Sequence, residues 1–140
     1  MTRRVVATAA FCAAILFADA SAEVFDLVAV MASAMSDDNV TAFAKTLSDQ
    51  MPGRTRLIDN VRAMLEQADV KTSIEKISDE GDDQRRTLVL DWSLAMQRKG
   101  NDLRIENRRE AVTLTLVREG KKWKVTSLSP DTFFAPPNFQ

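Results

Sequence analysis

Apolar and polar positions alternate most clearly over residues 85–128, and the alternation predicts three consecutive β-strands. In RRTLVLDWSLAMQ, residues Leu88, Leu90, Trp92, Leu94 and Met96 share one face, because strand side chains repeat every two residues. Thr87, Asp91, Ser93 and Gln97 take the other face. In KKWKVTSL, Trp123 and Val125 lie opposite Lys122, Lys124 and Thr126. Glu119 and Gly120 suit a tight hairpin, since glycine accepts a positive φ. With Arg118 paired to Lys121, Leu116 would face Trp123 and Leu114 would face Val125. One apolar face and one polar face mark an antiparallel sheet covered on one side.

The middle strand, LRIENRREAVTLTLVR, breaks parity. Ile105 is odd, whereas Val112, Leu114 and Leu116 are even. A β-bulge within residues 106–111 would bring all four to the core side and bend the sheet. Without it, Glu106, Arg108 and Glu110 point into the core side.

Upstream the period changes to that of a helix. Residues 23–35 carry Val24, Phe25, Leu27, Val28, Val30 and Met31 with alanines between, which predicts a deeply buried helix. Residues 36–38 offer caps for a second helix over 39–48, with Val40, Phe43, Ala44 and Leu47 on one face. Met51, Pro52 and Gly53 end it. A third helix over 56–68 has Leu57, Ile58, Val61, Met64 and Leu65 as a single stripe, and Thr55 as its expected N-cap. A strand over 70–77 follows, with Val70, Thr72 and Ile74 on one face. The acidic turn over 78–84, around Gly81, lacks the alternating oxygen ligands and closing glutamate of a calcium loop, so it reads as solvated. The tail SPDTFFAPPNFQ is too proline-rich for a helix interior or a central strand. Its phenylalanines are expected to pack on the sheet edge or the helices, with a partner-docking peptide as the alternative. Three helices followed by an antiparallel sheet of four or more strands define an α+β domain.

The amino terminus stands apart from this domain. Arg3 and Arg4 precede the apolar run VVATAAFCAAILF, and Ala20-Ser21-Ala22 reads as a cleavage site. Residues 1–22 are therefore expected to be a signal peptide, with residues 23–140 as the exported domain, periplasmic or secreted. The run is shorter than the ~20 residues of a membrane span, and no other membrane association is expected. Cys12, the one cysteine, lies within the leader and follows Phe11, which does not suit lipoprotein processing. Removing Arg3, Arg4 and Asp19 would leave 17 basic and 19 acidic residues, a net charge of −2. That balance gives no field for nucleic acid.

With the helices and meander in place, the chain resembles the nuclear transport factor 2-like superfamily, which includes the ketosteroid isomerases and SnoaL-like proteins. The resemblance covers residues 23 to about 128. It rests on the element order, on the helix at 56–68 before the sheet, and on the ending VREGKKWKVTSL. It implies a curved sheet wrapped around helices as a cone-shaped α+β barrel with a pocket. Its members often carry a short strand between the second and third helices, which only residues 47–51 could supply here.

The residues that carry chemistry are few. Residues 23–140 contain no histidine, cysteine or tyrosine. Histidine bases, cysteine nucleophiles, thiolate or imidazole metal sites and a tyrosine oxyanion donor are therefore absent. No catalytic set, metal site or cofactor is expected. The ligand-binding candidates are Trp92, Glu106, Arg108 and Glu110, with Arg108 able to hold a carboxylate bidentately. Asp91 is the alternative base, although its parity opposite Trp92 makes it a cross-strand partner of Arg108 or Arg109. The expected function is a non-enzymatic binding or interaction module with an apolar pocket. The rivals are an isomerase, cyclase or hydrolase of small apolar compounds using Asp91, and a structural role in which two copies meet through the sheet. Its expected partners are a small apolar ligand and a second copy of the chain.

Overall fold

The computed structural model describes residues 2–100 and 103–139, with side chains from residue 19 onward. Three helices, α1 (Thr2–Ser36), α2 (Val40–Lys45) and α3 (Arg54–Gln67), precede four strands, β1 (Ala68–Gly81), β2 (Arg85–Arg98), β3 (Ile105–Glu119) and β4 (Lys122–Ser129). A 3₁₀ turn, Asp131–Phe134, follows. The strands form one antiparallel sheet in the order β1-β2-β3-β4, with the helices packed against one face. This is the expected α+β architecture.

The inward face follows the period-two pattern. Leu88, Leu90, Trp92, Leu94 and Met96 are buried, as are Val112, Leu114, Leu116, Trp123 and Val125. On α3, Leu57, Ile58, Val61, Met64 and Leu65 form the expected stripe. In α1 the buried positions are narrower than expected. Val24, Val28, Met31 and Met35 recur every three or four residues and are fully buried, but Val30 is 53% exposed. The helix covers the sheet with one face rather than lying within the core.

Several local expectations are corrected. The N-cap of α3 is Gly53, at φ 75°, and not Thr55. The second helix is shorter than expected; Asn39 caps it by accepting from the Ala42 amide, and it ends at Lys45. The chain then turns beside β4. Ser48 N donates to Val125 O at 2.8 Å and Val125 N to Thr46 O at 2.9 Å, so Leu47 forms a single parallel bridge where a short strand was sought. β1 runs on to Gly81, well into the expected acidic turn. Gly81 has φ 138°, and a Cβ there would lie 2.2 Å from the Arg85 carbonyl oxygen, so the turn tolerates only glycine.

The largest correction concerns β3. Pairing with β2 is continuous from Gln97↔Ile105 to Arg85↔Val117, with no bulge in residues 106–111. Ile105 therefore falls on the outer face, 57% exposed, and Arg108 falls on the inner face, opposite Leu94. The bulges lie elsewhere, at Lys76/Ser78 in β1 and at Thr115/Leu116 in the β3–β4 pairing. The hairpin turn is Gly120–Lys121, not Glu119–Gly120. Glu119 pairs with Lys122 and Arg118 with Trp123, while Leu116 faces Val125 and Leu114 faces Leu128. Gly120, at φ 65°, supplies the left-handed first turn position.

The expected cleavage after Ala22 bears on α1 directly. Ala20 is buried, and the Ser21 hydroxyl donates to the Asp79 carboxylate. Among the described residues no helix is long and apolar enough to cross a membrane.

Candidate functional site

The uninterrupted register carries β3 past the end of β4, so around residue 108 β3 has β2 on one side and no strand on the other. The tail fills that space. Past Ser129 it turns back across the inner face, where Phe133 and Phe134 are buried at 1% and 0% exposure. Phe134 meets Trp92 edge-on at 5.2 Å, Phe133 at 5.1 Å and Phe43 at 6.0 Å. Phe133 also packs on Trp92 at 6.1 Å. Such tilted aromatic pairs each add ~0.5–1.5 kcal/mol beyond the area they bury. The tail thus packs against the helices, as expected, with Phe134 on Phe43 of α2 and the 3₁₀ turn beside α3, but it meets the sheet at Trp92 on the inner face and not at the edge.

Arg108 locks this arrangement. Its guanidinium donates to the carbonyl oxygens of Phe133 (2.9 Å), Ala135 (2.5 Å) and Pro136 (3.1 Å), and its Nε to Glu106. The other Glu106 oxygen accepts from the Asn138 amide at 3.0 Å. A 3₁₀ turn followed by prolines leaves carbonyls that no sheet or helix satisfies, and the planar guanidinium fork serves three at once. Arg108 and Glu106 therefore converge at the mouth of the inner face, but the groups they hold belong to the chain itself. Glu110 shares the register position of Trp92, is exposed, and adds no hydrogen bond to this latch. Trp92 is core; its indole Nε1 donates to Thr72 Oγ1 at 2.7 Å.

Asp91 lies on the outer face, where the Arg109 guanidinium grips it through Nε (3.0 Å) and Nη2 (2.7 Å). These hydrogen bonds, reinforced by the charge of Arg109, hold the Asp91 carboxyl below its ordinary value of 3.8. The same pairing raises the Arg109 pKa. Of the two partners foreseen for Asp91, Arg109 is the one realised. A base role needs Asp91 beside the inner face and a proton affinity near neutrality; the structure has it on the opposite face and more acidic than usual. A lowered carboxylate pKa adds stability above the unfolded value and loses it as pH falls through the folded one. Asp91→Asn is therefore expected to lower stability modestly at pH 7, where the contribution is fully present, with a loss that fades as pH falls below about 3.8, so that the variant's profile is flatter there. Urea midpoints measured from pH 2 to pH 7 would check this.

One buried ion pair escaped the sequence reading. Arg86 continues the inward parity of Leu88 and Leu90, and its Nε donates to Asp79 Oδ1 at 2.8 Å, with side chains 7% and 6% exposed. Nη1 donates to the Asp82 carbonyl at 3.1 Å. The parity of Arg86 was a visible signal, but Asp79 had been assigned to a solvated loop. Among the described residues no three His, Cys, Asp or Glu side chains are grouped as metal ligands.

No family model matches the chain, and no curated protein matches its sequence. Solved structures do match. A nuclear transport factor 2-like superfamily protein from Salmonella enterica serovar Typhimurium superposes with TM-score 0.66 at 10% identity, over 88% of this chain and 95% of that one. A conserved protein from Planctomyces limnophilus gives 0.68 at 7%, over 76% and 90%. A ketosteroid isomerase-like protein from Erwinia carotovora atroseptica gives 0.64 at 12%, over 77% and 92%. The chain has the nuclear transport factor 2-like fold. At these identities the likeness is one of fold, and fold does not carry activity with it.

Proposed function

We propose that the protein is an exported, non-enzymatic binding module whose cone is filled by its own tail, so that ligands or partners engage the outside. The observation that carries this reading is the pair Phe133 and Phe134 seated on Trp92 beneath the Arg108 latch. The resemblance implies a pocket inside the cone, and in this chain Phe133 and Phe134 lie buried against the inner face. The guanidinium at that space, Arg108, is already engaged by Glu106 and by the tail carbonyls. Export rests on the leader-like residues 1–22 and the absence of cysteine after them.

A neutral apolar fluorophore, N-phenyl-1-naphthylamine, tests the filled interior. The native protein should leave its emission unchanged, whereas Phe133→Ala should open a cavity and take it up. Saturable uptake by the native protein with quenching of Trp92 would refute the filled cone. A turnover of any small apolar substrate that disappears in Arg108→Ala, with the fold retained, would refute the non-enzymatic reading.

A further inference from the structure

The β3–β4 hairpin carries more positive charge than the whole chain, which has a net charge of −1. Lys121, Lys122 and Lys124 surround Trp123, and β4 is an edge strand, so its outward lysines can fold over the edge toward the helices. Lys124 does so, its Nζ donating to the Lys45 carbonyl at 2.5 Å. Between the hairpin, α1 and α2 lies a groove of about 730 Å³, within the usual range for a small-molecule site. Leu27, Val30, Ala42 and Trp123 supply its apolar lining; Lys45, Lys121, Lys122 and Lys124 supply cations.

The carboxylates in the groove do not balance these lysines. Glu23 is engaged, accepting from Trp123 Nε1 at 2.8 Å and from Arg118 at 3.1 Å, with the Arg118 guanidinium 4.8 Å above the Trp123 ring. Asp26 is the other acid in the lining. Among the described residues, Lys45, Lys121 and Lys122 have no carboxylate within ion-pair distance. The groove thus pairs apolar surface on the helix side, including the exposed Val30, with uncompensated ammonium groups on the hairpin side.

We infer that this groove binds a free anionic amphiphile, a single acidic headgroup on an apolar chain or ring system. The headgroup meets Lys121 and Lys122, and the apolar body lies along Leu27 and Val30. Charge complementarity selects the anion, and burial of the exposed valine selects the apolar body. The site deepens the reading of the domain as an outside binder and rests on it. Every lining residue lies at or after Glu23, so removal of the leader would leave the groove its full set of side chains.

Decanoate below its micellar concentration is the probe, titrated into the purified protein by calorimetry and tryptophan emission, with 1-decanol and acetate in parallel. Decanoate should bind saturably, and decanol and acetate at least tenfold more weakly. Lys121→Gln with Lys122→Gln, and separately Val30→Asp, should each weaken decanoate at least fivefold with the melting temperature unchanged. Phe133→Ala should leave decanoate affinity unaltered. Equal binding of acetate, or binding of anionic vesicles without decanoate, would overturn the assignment of a free amphiphile. Absence of saturable decanoate binding would overturn the groove site and leave the filled-cone reading standing. Decanoate binding that responds to Phe133→Ala but not to the lysine substitutions would overturn both.

Discussion

Phe134→Ala is expected to destabilise the protein by about 3–5 kcal/mol, the range for truncating a fully buried aromatic side chain. Phe134 is 0% exposed and touches three other rings, Trp92, Phe133 and Phe43. Its loss removes apolar burial and leaves a cavity bounded by Trp92 below and by the Arg108-bound backbone above. That backbone is held at three carbonyls, so the tail cannot collapse freely into the space. Phe134→Leu should recover much of the loss, since it keeps most of the volume. Urea denaturation measures the effect, and the thermal midpoint should fall by roughly 10 °C or more. A loss under about 1 kcal/mol would mean that the tail contributes little to the core, against the 3–5 kcal/mol expected of a seated ring.

Asp79→Ala is the second large effect, at about 3–5 kcal/mol, because it strands the Arg86 charge in a buried position. Burial keeps both side chains at or below 7% exposure, and the pair sits where β1 and β2 close at Gly81. The informative comparison is Asp79→Leu with Arg86→Met. Replacing both charges by apolar groups of similar volume is often neutral or stabilising, so the double variant should regain most of what the single one loses. In a chain cut after Ala22 the Ser21 contact to Asp79 is gone and the carboxylate gains solvent, so the single-variant cost should fall toward the lower end. A double variant as unstable as Asp79→Ala would show that the pair contributes net stability rather than satisfying itself.

Both effects depend on how far apart in sequence the partners lie. Phe134 reaches Trp92 across more than forty residues, and Arg108 reaches Phe133 across 25. Neither contact has a local signature. The inward parity of β2 and the α3 stripe were visible, by contrast, because each depends only on the repeat of its own element. Trp92 and Arg108 were ligand-binding candidates on sequence grounds; in the structure both contact the tail, Trp92 through the Phe133 ring and Arg108 through the Phe133 carbonyl, and that contact was not foreseen.

The β3 error has the same origin. A bulge within residues 106–111 was inferred to spare Glu106, Arg108 and Glu110 from the core side. The premise was that a charged side chain on that side has no partner. The tail carbonyls supply one for Arg108, and Ile105 accepts exposure instead. Asp91 depended only on parity, and its outer-face pairing with Arg109 agrees with that argument.

From sequence alone, then, came the order of helices and strands, the faces of β2 and α3, the α+β class, and the absence of histidine, cysteine and tyrosine chemistry after residue 22. Periodicity and composition are local properties, and a chain carries them before it folds. Only the tertiary structure decided the β2–β3 register, the seat of Phe133 and Phe134, the Arg86–Asp79 pair and the lysine-rimmed groove. Each of those is a pairing between distant segments, chosen by which polar groups can be satisfied once the whole sheet is assembled.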